Sequence, residues 1–238
     1  MILKEHFYVG YSDINQALKL SNTALLRYFE NIACMHGSLA GDGFTTSPAA
    51  WFLTGYHVKI HERPAYEDRL LCETWSSDMK GYTSAREFAL YLPDGRLAAT
   101  ALSNWARIDR QTGRPVRLTE ELAERYGTER GHSNFSDSWL KRLAEGESFS
   151  QKRSFFIDRN FIDPNRHMNN ICYLELASLL LPEEQYVNEP SEFSIRYRKA
   201  VAYGESILGL YGENEDGCTV VLKSEDESDT RAVIRFYL

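Results

Sequence analysis

Cysteine is scarce and never closely spaced: Cys34, Cys72, Cys172 and Cys218 include no Cys-x-x-Cys pair, which sets aside a zinc knuckle or a redox motif. Reduced cytoplasmic thiols are the expectation. Long apolar runs are missing too. The longest, Leu174 to Leu181, is broken by Glu175 and falls far short of the roughly 20 residues that cross a bilayer, so no membrane span is expected. The opening Met1-Ile2-Leu3-Lys4-Glu5-His6 carries charge at once and leads into no apolar signal core. The mature protein is therefore expected to start here and to be cytoplasmic. Positive charge is in deficit, with 27 Lys and Arg against 34 Asp and Glu and a net charge of −7. That argues against general nucleic-acid binding, which needs a basic footprint. No Gly-x-Ser-x-Gly elbow is present, so a serine hydrolase is not indicated. The EF-hand pattern, laid from Asp163, fails at Met168 and Leu174, where it needs Gly and Glu. No metal ligand set and no cofactor site is read.

What is there is enough apolar material for a core. The chain has 238 residues, 43% of them hydrophobic, which suits one large domain or two of modest size. A short apolar segment at residues 7–11 precedes a helix over 22–35, in which Leu25, Leu26, Phe29, Ile32 and Ala33 recur at steps of three and four and form one apolar stripe. Strands follow at 51–60, 70–77, 82–92 and 97–108, with Pro93-Asp94-Gly95 as a hairpin turn. From 110 to about 151 the sequence is charged and turn-rich, with two short helices over 120–126 and 138–143. The first plan then returns: an apolar segment at 155–157, a helix over 170–181 stopped by Pro182, and strands at 193–199, 206–212, 218–223 and 232–237. Setting Asn22 on Asn170, an offset of 148, also sets Tyr8 on Phe156. The repeat lies in the order of elements, with slight residue identity. Two helices, each wrapped by a curved antiparallel sheet, make an α+β fold of the tandem hot-dog kind. The expected domains are 1–115, a connector at 116–150, and 151–238.

The chemistry concentrates in Asp163-Pro164-Asn165-Arg166-His167-Met168-Asn169-Asn170. Pro164 disfavours helix at Asp163, and an extended chain there would put Asp163, Asn165 and His167 on one face. Asn169 or Asn170 is a natural N-cap for the apolar helix that follows, so the backbone N–H groups of its first turn are expected to be free. Read from residue types alone, the cluster serves either as a capping loop or as a site. As a site it offers an acid and an imidazole to activate water or attack a carbonyl, next to donors that would hold an oxyanion.

Asp163-x-Asn165-x-His167-x-Asn169-Asn170-x-x-Tyr173 is similar to the corresponding segment of the plant and bacterial acyl-carrier-protein (acyl-ACP) thioesterases. The likeness continues, in order, through Gly41-Asp42-Gly43-Phe44, Trp51-x-Leu53-Thr54-x-x-His57-Val58, Glu73-Thr74-Trp75, Ser103-Asn104-Trp105 and Thr112-Gly113-Arg114. It covers most of residues 6–115 and 153–212. The resemblance implies a tandem hot-dog thiolester hydrolase of fatty acid biosynthesis. It would release fatty acids from acyl carrier protein through Asp163, Asn165 and His167, with no cofactor and no metal. Asn169 and Asn170 are the expected backbone oxyanion donors, and the first half is expected to hold the acyl chain. Family members often carry Glu and Cys after a Tyr-Arg-Arg or Tyr-Arg-Lys run. Here Tyr197-Arg198-Lys199 runs into Ala200 and Val201, so neither role transfers and the burden moves to Asp163 as base or nucleophile.

Lys19 stands where His167 does, without an Asp and Asn trio, so a single active site in the second half is expected. Acyl carrier protein with its phosphopantetheine-linked chain is acidic, and this chain is acidic as well, so positive charge must be gathered locally. Arg196, Arg198 and Lys199 are either that patch or a solvated strand face. An acyl-CoA thioesterase and a non-catalytic acyl-thioester sensor stay open as alternatives. A tandem hot-dog already contains the interface that single ones form by dimerising, which leaves a homodimer compatible but undetermined.

Overall fold

Strand β1 (Leu3–Tyr8) alternates half-buried and more exposed residues, and Ser21 then starts helix α1 (Asn22–Leu39), its Oγ accepting the Ala24 N–H. The predicted stripe is buried, with Leu25, Leu26, Phe29 and Ile32 at most 1% exposed. Strands β2 (Ala49–Ile60), β3 (Arg69–Lys80), β4 (Thr83–Tyr91) and β5 (Leu97–Asp109) follow. Phe29 stacks on Phe88 of β4 at 4.6 Å between ring centroids, so helix and sheet share one core. These coordinates are a computed structural model, and they describe residues 1–135, 143–146 and 148–237. The chain falls into two units, Met1–Asp137 and Ser138–Leu238.

In the second unit come β6 (Gln151–Phe156), helix α3 (Asn170–Ser178), helix α4 (Glu183–Asn188), β7 (Glu192–Tyr197), β8 (Ser206–Asn214), β9 (Gly217–Ser224) and β10 (Thr230–Tyr237), while α2 (Glu120–Arg125) belongs to the first. All named strand pairs are antiparallel. Across the sheet the order is β1-β3-β4-β5-β2 in the first unit and β6-β8-β9-β10-β7 in the second, the same order element for element. Each unit therefore carries a helix and a five-stranded antiparallel sheet, the α+β hot-dog plan twice over. No described helix is long and apolar enough to cross a membrane.

Two stretches differ from expectation. Helix α3 ends at Ser178, and Pro182 sits as the N-cap of a separate α4, because its fixed φ and missing N–H suit a helix start as well as a stop. The stretch expected as a connector is packed. Leu118, Leu122, Ala123 and Tyr126 bury with Ala40 and Met79 in the first unit, and Trp75 Nε1 donates to the His132 carbonyl at 2.8 Å. In the second unit Leu143 is 3% exposed and Glu145 accepts from Thr230 at 2.8 Å. The short helix expected over 138–143 falls, apart from Leu143, outside the described residues.

His36, in the last turn of α1, is fully buried. Its Nδ1 lies 2.9 Å from Arg86 Nη1; a guanidinium only donates, so Nδ1 accepts and the ring proton sits on Nε2, which has no partner among the described residues. Burial, and then the Arg86 charge, hold the His36 imidazole down at about 4, against an ordinary 6.5. The folded state therefore refuses a proton that the unfolded chain accepts. Stability is full above pH 6.5 and falls as the pH drops toward about 4. A His36→Gln variant should lose on the order of 2 kcal/mol less than the native protein between these limits, as measured by denaturant unfolding at several pH values. Equal pH dependence in the two proteins would remove His36 from the account.

Candidate functional site

The chain enters the motif through a 3-10 turn, Arg159–Phe161. It is not extended from Asp163 onward, contrary to the expectation. The Asp163 carbonyl accepts the Arg166 N–H at 2.9 Å and the Asp163 N–H donates to the His167 carbonyl at 2.9 Å, so residues 163–167 form a closed turn. Asp, Pro and Asn at successive positions are turn formers: Pro164 presets φ, and the Asp163 side chain bonds backbone ahead of it. Arg166 takes a left-handed φ of 64°.

The turn gathers Asp163 and Asn165 more closely than an extended chain would. Asp163 Oδ1 accepts the N–H of Asn165 at 2.8 Å and that of His167 at 3.4 Å, while Oδ2 accepts from Asn165 Nδ2 at 3.2 Å. A carboxylate offers about four acceptor positions, so about one remains for water or substrate. Asp163 and His167 are half-buried and Asn165 is exposed. Asn169 caps α3, its Oδ1 accepting the Ile171 N–H at 2.9 Å. Of the two backbone donors expected to be free, Asn169 is not: its N–H is committed to the Phe161 carbonyl at 2.8 Å. The Asn170 N–H has no hydrogen-bond partner among the described residues, and the Asn170 carbonyl accepts from the Tyr197 hydroxyl at 3.0 Å. Below the turn, burial pushes the Tyr173 hydroxyl well above its ordinary range.

A second loop, 200–205, supports the turn. The Val201 carbonyl accepts the Met168 N–H at 2.8 Å, and Ile157 exchanges backbone hydrogen bonds with Gly204 and Glu205. Glu205 is held rather than free: Oε1 accepts the Ala202 N–H at 2.7 Å and Oε2 accepts from Arg231 Nη2 at 2.6 Å. The sequence alone assigns no role to Arg231 and does not fix the register of Glu205, although one signal is present. Ala65-Tyr66 and Ala202-Tyr203 repeat, each followed two positions later by an acid.

The first unit builds the same turn without the acid. Asn15 N–H donates to the Lys19 carbonyl at 2.8 Å and the Asn15 carbonyl accepts from Leu18 at 3.0 Å. Asn15 Oδ1 accepts the N–H of Ala17 at 3.0 Å and of Lys19 at 3.1 Å. Leu18 has a φ of 57°, matching Arg166. An amide oxygen therefore closes this turn as well as a carboxylate does, and the negative charge of Asp163 is surplus to the architecture.

The expected basic patch is partly neutralised. Lys199 Nζ pairs with Asp229, and Arg198 lies within electrostatic reach of Glu145, while Arg196 sits on β7 opposite Val233. A hollow of about 360 Å³ lies elsewhere, in the first unit, lined by His6, Arg69, Glu73 and Tyr91 among others, and includes none of the motif residues.

Comparison with known proteins gives a consistent result. Residues 2–126 match the family profile described as the acyl-ACP thioesterase N-terminal domain, and residues 145–237 match the C-terminal domain. A curated relative, an oleoyl-acyl carrier protein thioesterase of Coriandrum sativum, is 21% identical over 239 residues, which is 92% of this chain and 65% of the relative. A second such enzyme, from Arabidopsis thaliana, is 24% identical over 76% of this chain and 54% of its own length. The chain thus spans about half to two thirds of the curated relatives it matches. Among solved structures, an acyl-ACP thioesterase from Bacteroides thetaiotaomicron superposes with a TM-score of 0.87 at 22% identity, covering 99% of this chain and 97% of that one. A 12:0-ACP thioesterase from Umbellularia californica gives 0.85 at 16%, covering 99% and 96%. At these identities the superpositions show the fold.

The paired turns predict the effect of substitution on stability. Asp163→Asn should change unfolding free energy by less than about 0.5 kcal/mol, and Asp163→Ala should cost about 1 kcal/mol through loss of the side-chain acceptor. Denaturant melts of the two variants check this, and equal losses would remove the Asn15 analogy.

Proposed function

Because the chain belongs to the acyl-ACP thioesterase family, both of whose domain profiles it matches over residues 2–126 and 145–237, we propose that it hydrolyses fatty acyl thioesters of acyl carrier protein in fatty acid biosynthesis. The observation that carries the reading is the charge at position 163. The turn forms around Asn15 in the first unit without one, so a carboxylate here serves something other than the fold.

In the proposed reaction Asp163 takes a proton from water as the water oxygen attacks the thioester carbonyl carbon, or attacks that carbon itself and is released by water in a second step. The carbonyl oxygen gains negative charge and is received by the Asn170 N–H at the start of α3. Collapse of the tetrahedral species breaks the C–S bond; the thiolate takes the proton held by Asp163 in the first route, or, in the second, one from the water that hydrolyses the acyl-Asp163 anhydride, and either route gives a free fatty acid and the phosphopantetheine thiol. Asn165 orients the Asp163 carboxylate through its 3.2 Å hydrogen bond, and His167 orients the water. The chemistry calls on no metal or cofactor. Arg196, Arg198 and Lys199 are proposed to receive the acidic carrier protein, with Arg196 and Arg198 the more available, since Lys199 is paired with Asp229.

The absence of the family's Glu and Cys at Ala200 and Val201 favours one competitor, a protein that binds acyl thioesters without cutting them. Thiol release from acyl-carrier-protein thioesters separates the two. The native protein should turn over, and Asp163→Asn should reduce kcat by about a hundredfold or more while leaving binding in place. Binding without thiol release by the native protein would reject hydrolysis. Charge reversal at Arg196 or Arg198 should raise KM for the carrier-protein substrate and leave that for the CoA thioester unchanged. Better native use of the CoA thioester would transfer the assignment to acyl-CoA hydrolysis.

A further inference from the structure

The loops that hold the two turns also correspond. Pro64 O accepts the Leu20 N–H at 2.8 Å in the first unit, as Val201 O accepts the Met168 N–H at 2.8 Å in the second. The Asp68 carboxylate accepts the Ala65 N–H at 2.8 Å, as Glu205 accepts that of Ala202 at 2.7 Å. One step further out, the Ala98 carbonyl accepts from His61 and Glu62, and the Arg231 carbonyl from Arg198 and Lys199. Within this shared frame the cation has changed place. In the first unit it is on the loop: Arg63 Nη1 donates to the Leu20 carbonyl at 2.8 Å and to Asn22 Oδ1 at 2.9 Å, bridging the helix start, while Ala98 is small and buried. In the second unit the loop position holds Ala200, which is exposed, and the position of Ala98 holds Arg231, 8% exposed. Arg231 Nη1 donates to the Ala200 carbonyl at 3.0 Å and Nη2 to Glu205 at 2.6 Å.

We propose that Arg231 and Glu205 are positioning residues, holding loop 200–205 from behind the Asp163 turn so that Ala200 can leave the start of α3 open to the acyl carbonyl. The proposal deepens, and rests on, the reading of Asp163 as the catalytic base or nucleophile. The pair grips the loop on both sides of Val201, and Val201 O fixes the Met168 N–H, directly after His167. A loosened loop would therefore misplace His167 and the Asn170 donor without removing either, and such misplacement lowers kcat more than it changes substrate binding. An arginine at 200 would do the reverse. It would bridge the Met168 carbonyl and the Asn170 side chain, as Arg63 bridges Leu20 and Asn22, and stop up the helix start.

The frame forms in the first unit around Ala98, so Arg231→Ala is expected to fold. It should lower kcat about tenfold with KM for the acyl-carrier-protein substrate within about twofold, and Arg231→Lys should recover part of the loss. Amide exchange at Met168, read by mass spectrometry or NMR, should speed up in Arg231→Ala and return in Arg231→Lys. Ala200→Arg should abolish turnover with stability unchanged or raised. Unchanged Met168 exchange, or a global loss of stability in Arg231→Ala that Arg231→Lys does not relieve, would overturn the clamp. Full turnover in Ala200→Arg would overturn the open helix start. Retained turnover in Asp163→Asn would instead sink the proposed reaction, while Met168 exchange reports on the clamp alone.

Discussion

The rest of the second unit's site depends on one hydrogen-bonding constraint, the closure of a five-residue turn by the side chain that opens it. At 163–167 the acceptor is a carboxylate, and at 15–19 it is an amide. Each turn is followed two residues later by a helix N-cap, each carries a residue in the left-handed region, and each is tied down next to its end by a carbonyl from a second loop. Geometry and charge can thus be considered separately. The turn sets where the side chains go, and Asp163 adds a negative group that the turn itself does not require. Since a charge near a helix N-terminus gains only a modest amount from it, a role in chemistry explains the presence of Asp163 better than a role in stability.

The same division runs through the first unit, where buried polar groups act structurally. Asp42 accepts from Ser47, Trp51, Arg107 and Tyr126, all within 3.2 Å, so the Gly41-Asp42-Gly43 motif anchors the loop after α1. Glu87, fully buried, accepts from Ser133 at 2.5 Å and from the Asn134 N–H at 3.2 Å. That pins residues 133–134 to the sheet, and it accounts for how a charged, turn-rich stretch comes to be packed. Removing a donor from such a buried carboxylate is costly, because the acceptor it leaves has no water to turn to.

Much of this was legible in the chain. The stripe of α1 and the turn at Pro93-Asp94-Gly95 follow from local pattern, and setting Asn22 on Asn170 brings out the repeated order of elements along the chain, but the order of strands across each sheet comes from long-range pairing. The turn at Asp163 was misread because Pro164 restricts Asp163 in the same way in a strand and in a turn. The Asp side chain, bonding its neighbours' backbone, decided between them. The commitment of the Asn169 N–H to Phe161, the burial of His36 against Arg86 and the pairing of Arg231 with Glu205 all join residues distant in sequence or set by an unseen 3-10 turn. No local pattern reports them. The exchange of Arg63 and Ala98 for Ala200 and Arg231 becomes visible only once the two halves are aligned by their hydrogen bonds.

A structure of Asp163→Asn, determined on the same preparation assayed for thiol release, tests the central claim most directly. The amide oxygen at position 163 should still lie within about 3.5 Å of the Asn165 and His167 N–H groups, with the Asn169 cap unmoved and turnover lowered by about a hundredfold or more. A turn that opens, or a closed turn with thiol release intact, would contradict it.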